Sequence, residues 1–174
     1  MRPLLCAAVI LATGVVVGIA APGGSARPAL AGDGCLVVSQ GFGKVTINLK
    51  RGVVFGRFSS GTLTVNDLDG DAKQPTINGG LTGSVAGVKI SDHLTQYSAD
   101  SMRFRTSGPE KLTINATFID LSVAGRGSAT LWSTSFEPDF SGTFSVDASS
   151  FCTDNFQRMP ALPKRFPIST PLSP

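Results

Sequence analysis

Three aspartates at alternate positions, Asp67, Asp69 and Asp71 in the stretch NDLDGD, are the residues of this chain best spaced to hold a metal ion. Carboxylates at i, i+2 and i+4 converge on a hard cation such as calcium at the start of a calcium loop. The rest of that loop is missing. Ala72 stands where a glycine is needed, and Asn78 takes the twelfth position instead of a bidentate glutamate. The competing reading is an Asp-Gly turn, in which aspartate bonds its own backbone and glycine takes a positive φ.

Other chemistry is thinly supplied. His93 is the single histidine, and Asp92 is too close in sequence to be its usual orienting partner in a hydrolase triad. No GxSxG elbow is present. The two glutamates, Glu110 and Glu137, each sit beside a proline in a turn, a poor setting for the paired carboxylates of glycoside hydrolysis. One histidine and two cysteines leave too few ligands for zinc, and no Walker-type or GxGxxG sequence suggests a nucleotide cofactor. No catalytic set is assembled, so the expectation is a non-enzymatic protein with no cofactor, calcium being the alternative. A secreted hydrolase is the weakest reading. Trp132 and Tyr97, the single residues of their kinds, are the candidate platforms for a sugar ring, while the eleven phenylalanines are expected mostly in the core.

The cysteines carry a sharper expectation. Cys6 lies inside the apolar run Leu4 to Ala20, which follows Arg2 and ends at the breakers Pro22, Gly23 and Gly24 before the small-residue site ALA at 29–31. That order is the pattern of a secretory signal peptide over 1–31. Its removal leaves Cys35 and Cys152, an even pair in an oxidising compartment, predicted to form a disulfide that ties the two ends of the domain. An extracellular location follows, with no membrane anchor after cleavage.

The remaining chain reads as a β domain over 32–157 and a Pro-rich tail over 158–174. The chain after residue 31 holds 13 Lys and Arg (15 less Arg2 and Arg27) against 12 Asp and Glu, so no basic footprint for nucleic acid is present. Alternating apolar and polar residues mark half-buried strands in KVTINLK (44–50), TLTVN (62–66), MRFRT (102–106), KLTINATF (111–118) and TFSVD (143–147). The inward set is Val45, Ile47, Leu49, Leu63, Val65, Phe104, Leu112, Ile114, Phe118, Phe144 and Val146. Glycine-bearing stretches, SSG (59–61), LDGD (68–71), NGG (78–80), SGPE (107–110), GRG (125–127) and FSG (140–142), are expected to be turns between them. The stretch 91–101 suits a loop or a short helix. The fold class expected is all-β: a single-domain antiparallel sandwich or barrel, with a short β-solenoid as the alternative.

KVTIN at 44–48 returns as KLTIN at 111–115, and the Gly-Arg and Thr-Leu pairs that follow each return at offsets of 69 and 68 against 67 for the pentapeptide. An internal duplication would place two copies of one strand-turn-strand unit in a pseudo-symmetric fold. The tail, with five prolines in its last 15 residues and no acid among them, is expected extended or disordered. Its Arg158, Lys164 and Arg165 could touch an anionic cell-envelope polymer.

The strand-and-turn stretches RGVVFGRFSSGTLTVNDLDGD, YSADSMRFRTSG, INATFIDLSVAGRGSATLW and GTFSVD resemble a family of small secreted actinobacterial all-β proteins of unknown function, over about residues 36–152. The resemblance implies a secreted all-β scaffold and carries no activity or site residue with it.

Overall fold

The computed structural model describes residues 33–70, 75–79, 85–147, 152 and 155–169. Alternation runs far longer than its sequence punctuation suggests. β1 spans Gly34–Asp67 and β5 spans Glu110–Ser133, and both are continuous strands of one antiparallel sheet. The remaining strands are β2 (Thr76–Gly79), β3 (Val88–Ser91), β4 (Leu94–Ser107), β6 (Thr143–Asp147), β7 (Gln157–Arg158) and β8 (Lys164–Pro167). A single 3-10 turn, Pro138–Phe140, precedes β6, and the described residues contain no α-helix.

The two long strands each pass through the sheet more than once. Ile114 of β5 lies between Val45 and Leu63, two residues of the same strand β1, and Val123 lies between Leu36 and Val54. Val45 in turn lies between Ile114 and Leu131 of β5. The sheet therefore folds back as two layers joined by strands that continue from one into the other. One layer runs β8, 127–133, 43–49, 110–116, 61–67, 94–99, β3. The other runs β7, β6, 34–39, 119–125, 51–57, 101–107, β2. The sheet does not close, and the arrangement is sandwich-like. Pairing is antiparallel throughout, unlike the parallel coils of a β-solenoid.

Inward residues of both layers form one core: Leu36, Val54, Phe104 and Leu121 from one, Val45, Ile47, Leu63, Leu112, Ile114 and Leu131 from the other. β-branched and aromatic side chains suit such pleated, half-buried surfaces. The expected inward set is buried except Val146, which is half-buried, and Phe118, which is 53 % exposed. Phe118 takes φ 49° at a bulge, so Ala116 and Ile119 both point inward and the phenylalanine between them points out.

The glycine stretches SSG and GRG are bends inside strands rather than turns between them. Gly52 and Gly125 are cross-strand partners with φ 137° and 152°. A Cβ on Gly125 would lie 2.2 Å from the Arg51 carbonyl oxygen, and one on Gly52 2.2 Å from that of Ala124. Only glycine allows the chains to approach this closely where the sheet folds back.

Three other expectations are corrected. Residues 94–101 are strand, not helix or loop, entered through a tight turn at Asp92-His93. The tail is part of the sheet where it is described: β8 pairs with 128–131 of β5, and Met159 and Ile168 are buried. Pro167 is the last residue of this edge strand, a position where proline is tolerated, and Phe166 packs on Phe144 at 4.8 Å between ring centroids. Residues 170–174 lie outside the described residues. The phenylalanines are not mainly core. Phe58, Phe104 and Phe144 are buried, whereas Phe55, Phe118, Phe136, Phe140 and Phe156 are exposed. The signal-peptide segment 1–31 also lies outside the described residues.

Candidate functional site

The repeated pentapeptide builds a face of the molecule. KVTIN and KLTIN are neighbours in the sheet, antiparallel, with Lys44 opposite Asn115, Thr46 opposite Thr113 and Asn48 opposite Lys111. A local twofold runs between the two threonines, whose Oγ1 atoms are 3.5 Å apart. In the other layer Phe55 and Ser122 are also direct partners across the same two long strands. The pentapeptide repeat is thus present in the pairing register as a local pseudo-symmetry, whereas the Gly-Arg pairs do not correspond: Gly125 lies opposite Gly52 and Gly56 opposite Leu121.

All three outward residues of the pentapeptide (Lys, Thr, Asn) recur in the second copy, so its chemistry is displayed twice. Register extends this into a row, Thr130, Thr46, Thr113, Thr64 and Gln96, across five neighbouring strand segments. Flanking it on one side are Trp132, Lys44, Asn115, Thr62 and Ser98, and on the other Ser128, Asn48, Lys111 and Asn66. Strand geometry spaces such side chains about 4.8 Å across the sheet and about 6.7 Å along it. The threonine row is half-buried, whereas Lys44, Asn48, Lys111 and Asn115 are exposed. None of these three rows contains an acid, and neither lysine has an ion-pair partner among the described residues. The array offers hydroxyl and amide groups that both donate and accept, two ammonium donors, and one indole at its corner.

Of the two ring platforms anticipated from sequence, the structure keeps one. Trp132 is 37 % exposed, but Tyr97 is 7 % exposed and its hydroxyl is pushed to a raised pKa by burial.

The aspartate cluster behaves as a turn where it is described. Asp67 Oδ1 accepts from the backbone N–H of Asp69 (3.3 Å) and of Gly70 (3.0 Å), and its own N–H donates to the His93 carbonyl at 2.9 Å. Asp71 lies outside the described residues, and no group of three or more metal-ligating side chains forms among the described ones. His93 stands exposed in the β3–β4 turn, with its ring beside Gly70. Neighbouring Asp92 pairs with Lys89 at 3.0 Å, and that contact holds its carboxyl below the usual range. Glu110 is buried and accepts from the Thr106 hydroxyl at 2.5 Å, whereas Glu137 is exposed far along the chain in the loop before β6. The structure does not bring the two glutamates together.

Cys35 and Cys152 form the anticipated disulfide, with Cα atoms 5.8 Å apart. The tail cations are engaged within the fold: Arg158 with Asp139 at 2.9 Å, Arg165 with the Ser128 hydroxyl at 3.0 Å, and Lys164 over the Phe166 ring at 5.3 Å. Sequence reading placed the cationic contact surface in this tail. It missed the threonine rows, because which strands lie side by side is fixed by long-range register and not by local pattern.

Comparison with known proteins found no matching family model, no matching curated protein and no matching solved structure.

Proposed function

We propose that this protein is an extracellular, non-enzymatic binding module whose polar sheet face docks an anionic polysaccharide of a cell envelope. The observation that carries the reading is the twofold display of Lys, Thr and Asn in three neighbouring rows that hold no acid. A hydroxyl-rich polymer meets hydroxyl and amide groups able to donate and accept, and its carboxylates meet Lys44 and Lys111. Trp132 at the corner offers a flat apolar ring for the face of a sugar. Repetition of the array suits a ligand that is itself repetitive. The disulfide, and the lack of any long apolar helix among the described residues, are compatible with an extracellular setting. The apolar run at 4–20 supports export.

Titration with alginate, a polyuronate, tests the reading, with neutral dextran as the comparison polymer. Alginate should bind and quench or shift the emission of the single tryptophan, and the binding should weaken as salt is raised. Equal affinity for the two polymers, or none for alginate, would sink the anionic-polymer reading.

A further inference from the structure

The opposite face carries a different kind of surface. Its outward side chains form two neighbouring rows, one across four strand segments and one across three of them. One row is Val37, Ser122, Phe55 and Arg105, and the other runs Asp120, Arg57 and Arg103. Between them lies an open groove of about 490 Å³, within the range that accepts a small ligand. Its floor is apolar, built from Val37, Phe55 and the strand backbone, with Gly56 adding no side chain.

The charges at the groove are unequal. Asp120 takes hydrogen bonds from Arg57 at 2.8 Å and from the Gln40 backbone N–H at 2.9 Å, so it neutralises one arginine. Arg105 lies over the Phe55 ring at 5.2 Å, a cation–π contact that holds the ring on the surface. Arg103, the direct cross-strand partner of Arg57, has no hydrogen-bond or ion-pair partner among the described residues. Three guanidinium groups therefore face one carboxylate. Phe55 is 50 % exposed in the middle of a sheet face, where such a ring leaves apolar surface in water.

We infer that this groove binds a fatty-acid carboxylate, its alkyl chain along Val37 and Phe55 and its head group on Arg103. A carboxylate matches the planar fork of a guanidinium and can be held by two parallel hydrogen bonds. One unpaired guanidinium at one end of an apolar floor fits a ligand with a single charge and a long apolar body. Arg105, adjacent on the same face and strand, raises the local positive potential. The site lies on the face opposite the threonine rows and stands independently of the polysaccharide reading.

The test is calorimetric titration of the disulfide-intact protein with dodecanoate below its micellar concentration, with 1-dodecanol as the uncharged control. Saturable binding of dodecanoate is expected, with dodecanol at least tenfold weaker. Arg103→Gln should weaken dodecanoate at least tenfold and Phe55→Ala by a similar factor, each with near-ultraviolet circular dichroism matching the parent. The Lys44→Gln/Lys111→Gln variant should bind dodecanoate as the parent does. Absence of saturable binding, equal affinity for dodecanol, or an Arg103→Gln protein that binds as tightly as the parent would each overturn the assignment. None of these outcomes bears on alginate binding, so the two readings fail separately.

Discussion

Reduction of the Cys35–Cys152 bond should cost a large share of the stability while leaving the fold recognisable. Cys35 is held in the sheet on both sides, by Ala124 of β5 and Asp147 of β6, and is buried. Those ladders do not depend on the sulfur bond, so its main effect falls on the unfolded chain. The two cysteines are 117 residues apart. Closing a loop of that length removes about 16 cal/mol/K of chain entropy, or about 5 kcal/mol at 25 °C, as an upper figure. With a urea slope of about 2 kcal/mol/M, the unfolding midpoint should fall by up to about 2.5 M on reduction. The assay is urea unfolding followed by Trp132 fluorescence, on one preparation with and without a phosphine reductant. The reduced protein should keep the native far-ultraviolet spectrum in the absence of urea. Midpoints that agree within about 0.3 M would refute the argument that this bond restricts the unfolded chain by so long a loop.

Three further outcomes follow from particular residues. Tyr97 is the single tyrosine, so absorbance titration near 295 nm reports it alone and should give a midpoint above the ordinary value of 10.0. Because its folded pKa is raised, it contributes stability that is complete below the unfolded value and lost as pH climbs through the folded one. The urea midpoint should accordingly fall above about pH 10, and Tyr97→Phe should remove that part of the fall. Gly125→Ala should destabilise by about 3 kcal/mol or more, from positive φ and from the close Arg51 carbonyl, measured by the same urea assay. Asp67→Ala should lower stability by about 1 kcal/mol through loss of the turn bonds to Asp69 and Gly70, again read from the urea midpoint.

Much of this architecture was legible in the residues, and the part that was not has a physical cause. Period-two alternation marks Val45, Ile47, Leu63, Leu112 and Ile114 as inward, because burial on one face of a sheet leaves that imprint directly. It fails at Phe118, where a bulge shifts the phase without any marker that composition supplies. Glycine misled more often. In GRG it permits the crossing of Gly125 with Gly52 inside a strand, a use that local sequence cannot separate from a turn. The tail misled because its prolines outweighed Ile168 and Phe166, whose packing depends on an edge the sequence does not reveal. The disulfide was readable from cysteine count and placement. The candidate face was readable only in half. The repeat announced two similar strands, but that they lie side by side and align four threonines depends on a fold-back between residues 67 apart.

The central claim is that the twin Lys-Thr-Asn strands recognise an anionic polysaccharide, and the Lys44→Gln/Lys111→Gln double variant tests it most directly. These lysines are exposed, so each removed charge is worth about 0.5–1 kcal/mol at low salt, and the pair should weaken alginate binding roughly tenfold. Affinity electrophoresis through alginate gels, with dextran gels alongside, gives the measurement. The account predicts that the parent is retarded by alginate alone and that the double variant, equally stable to urea, migrates nearly unretarded. A double variant retarded as strongly as the parent would contradict it.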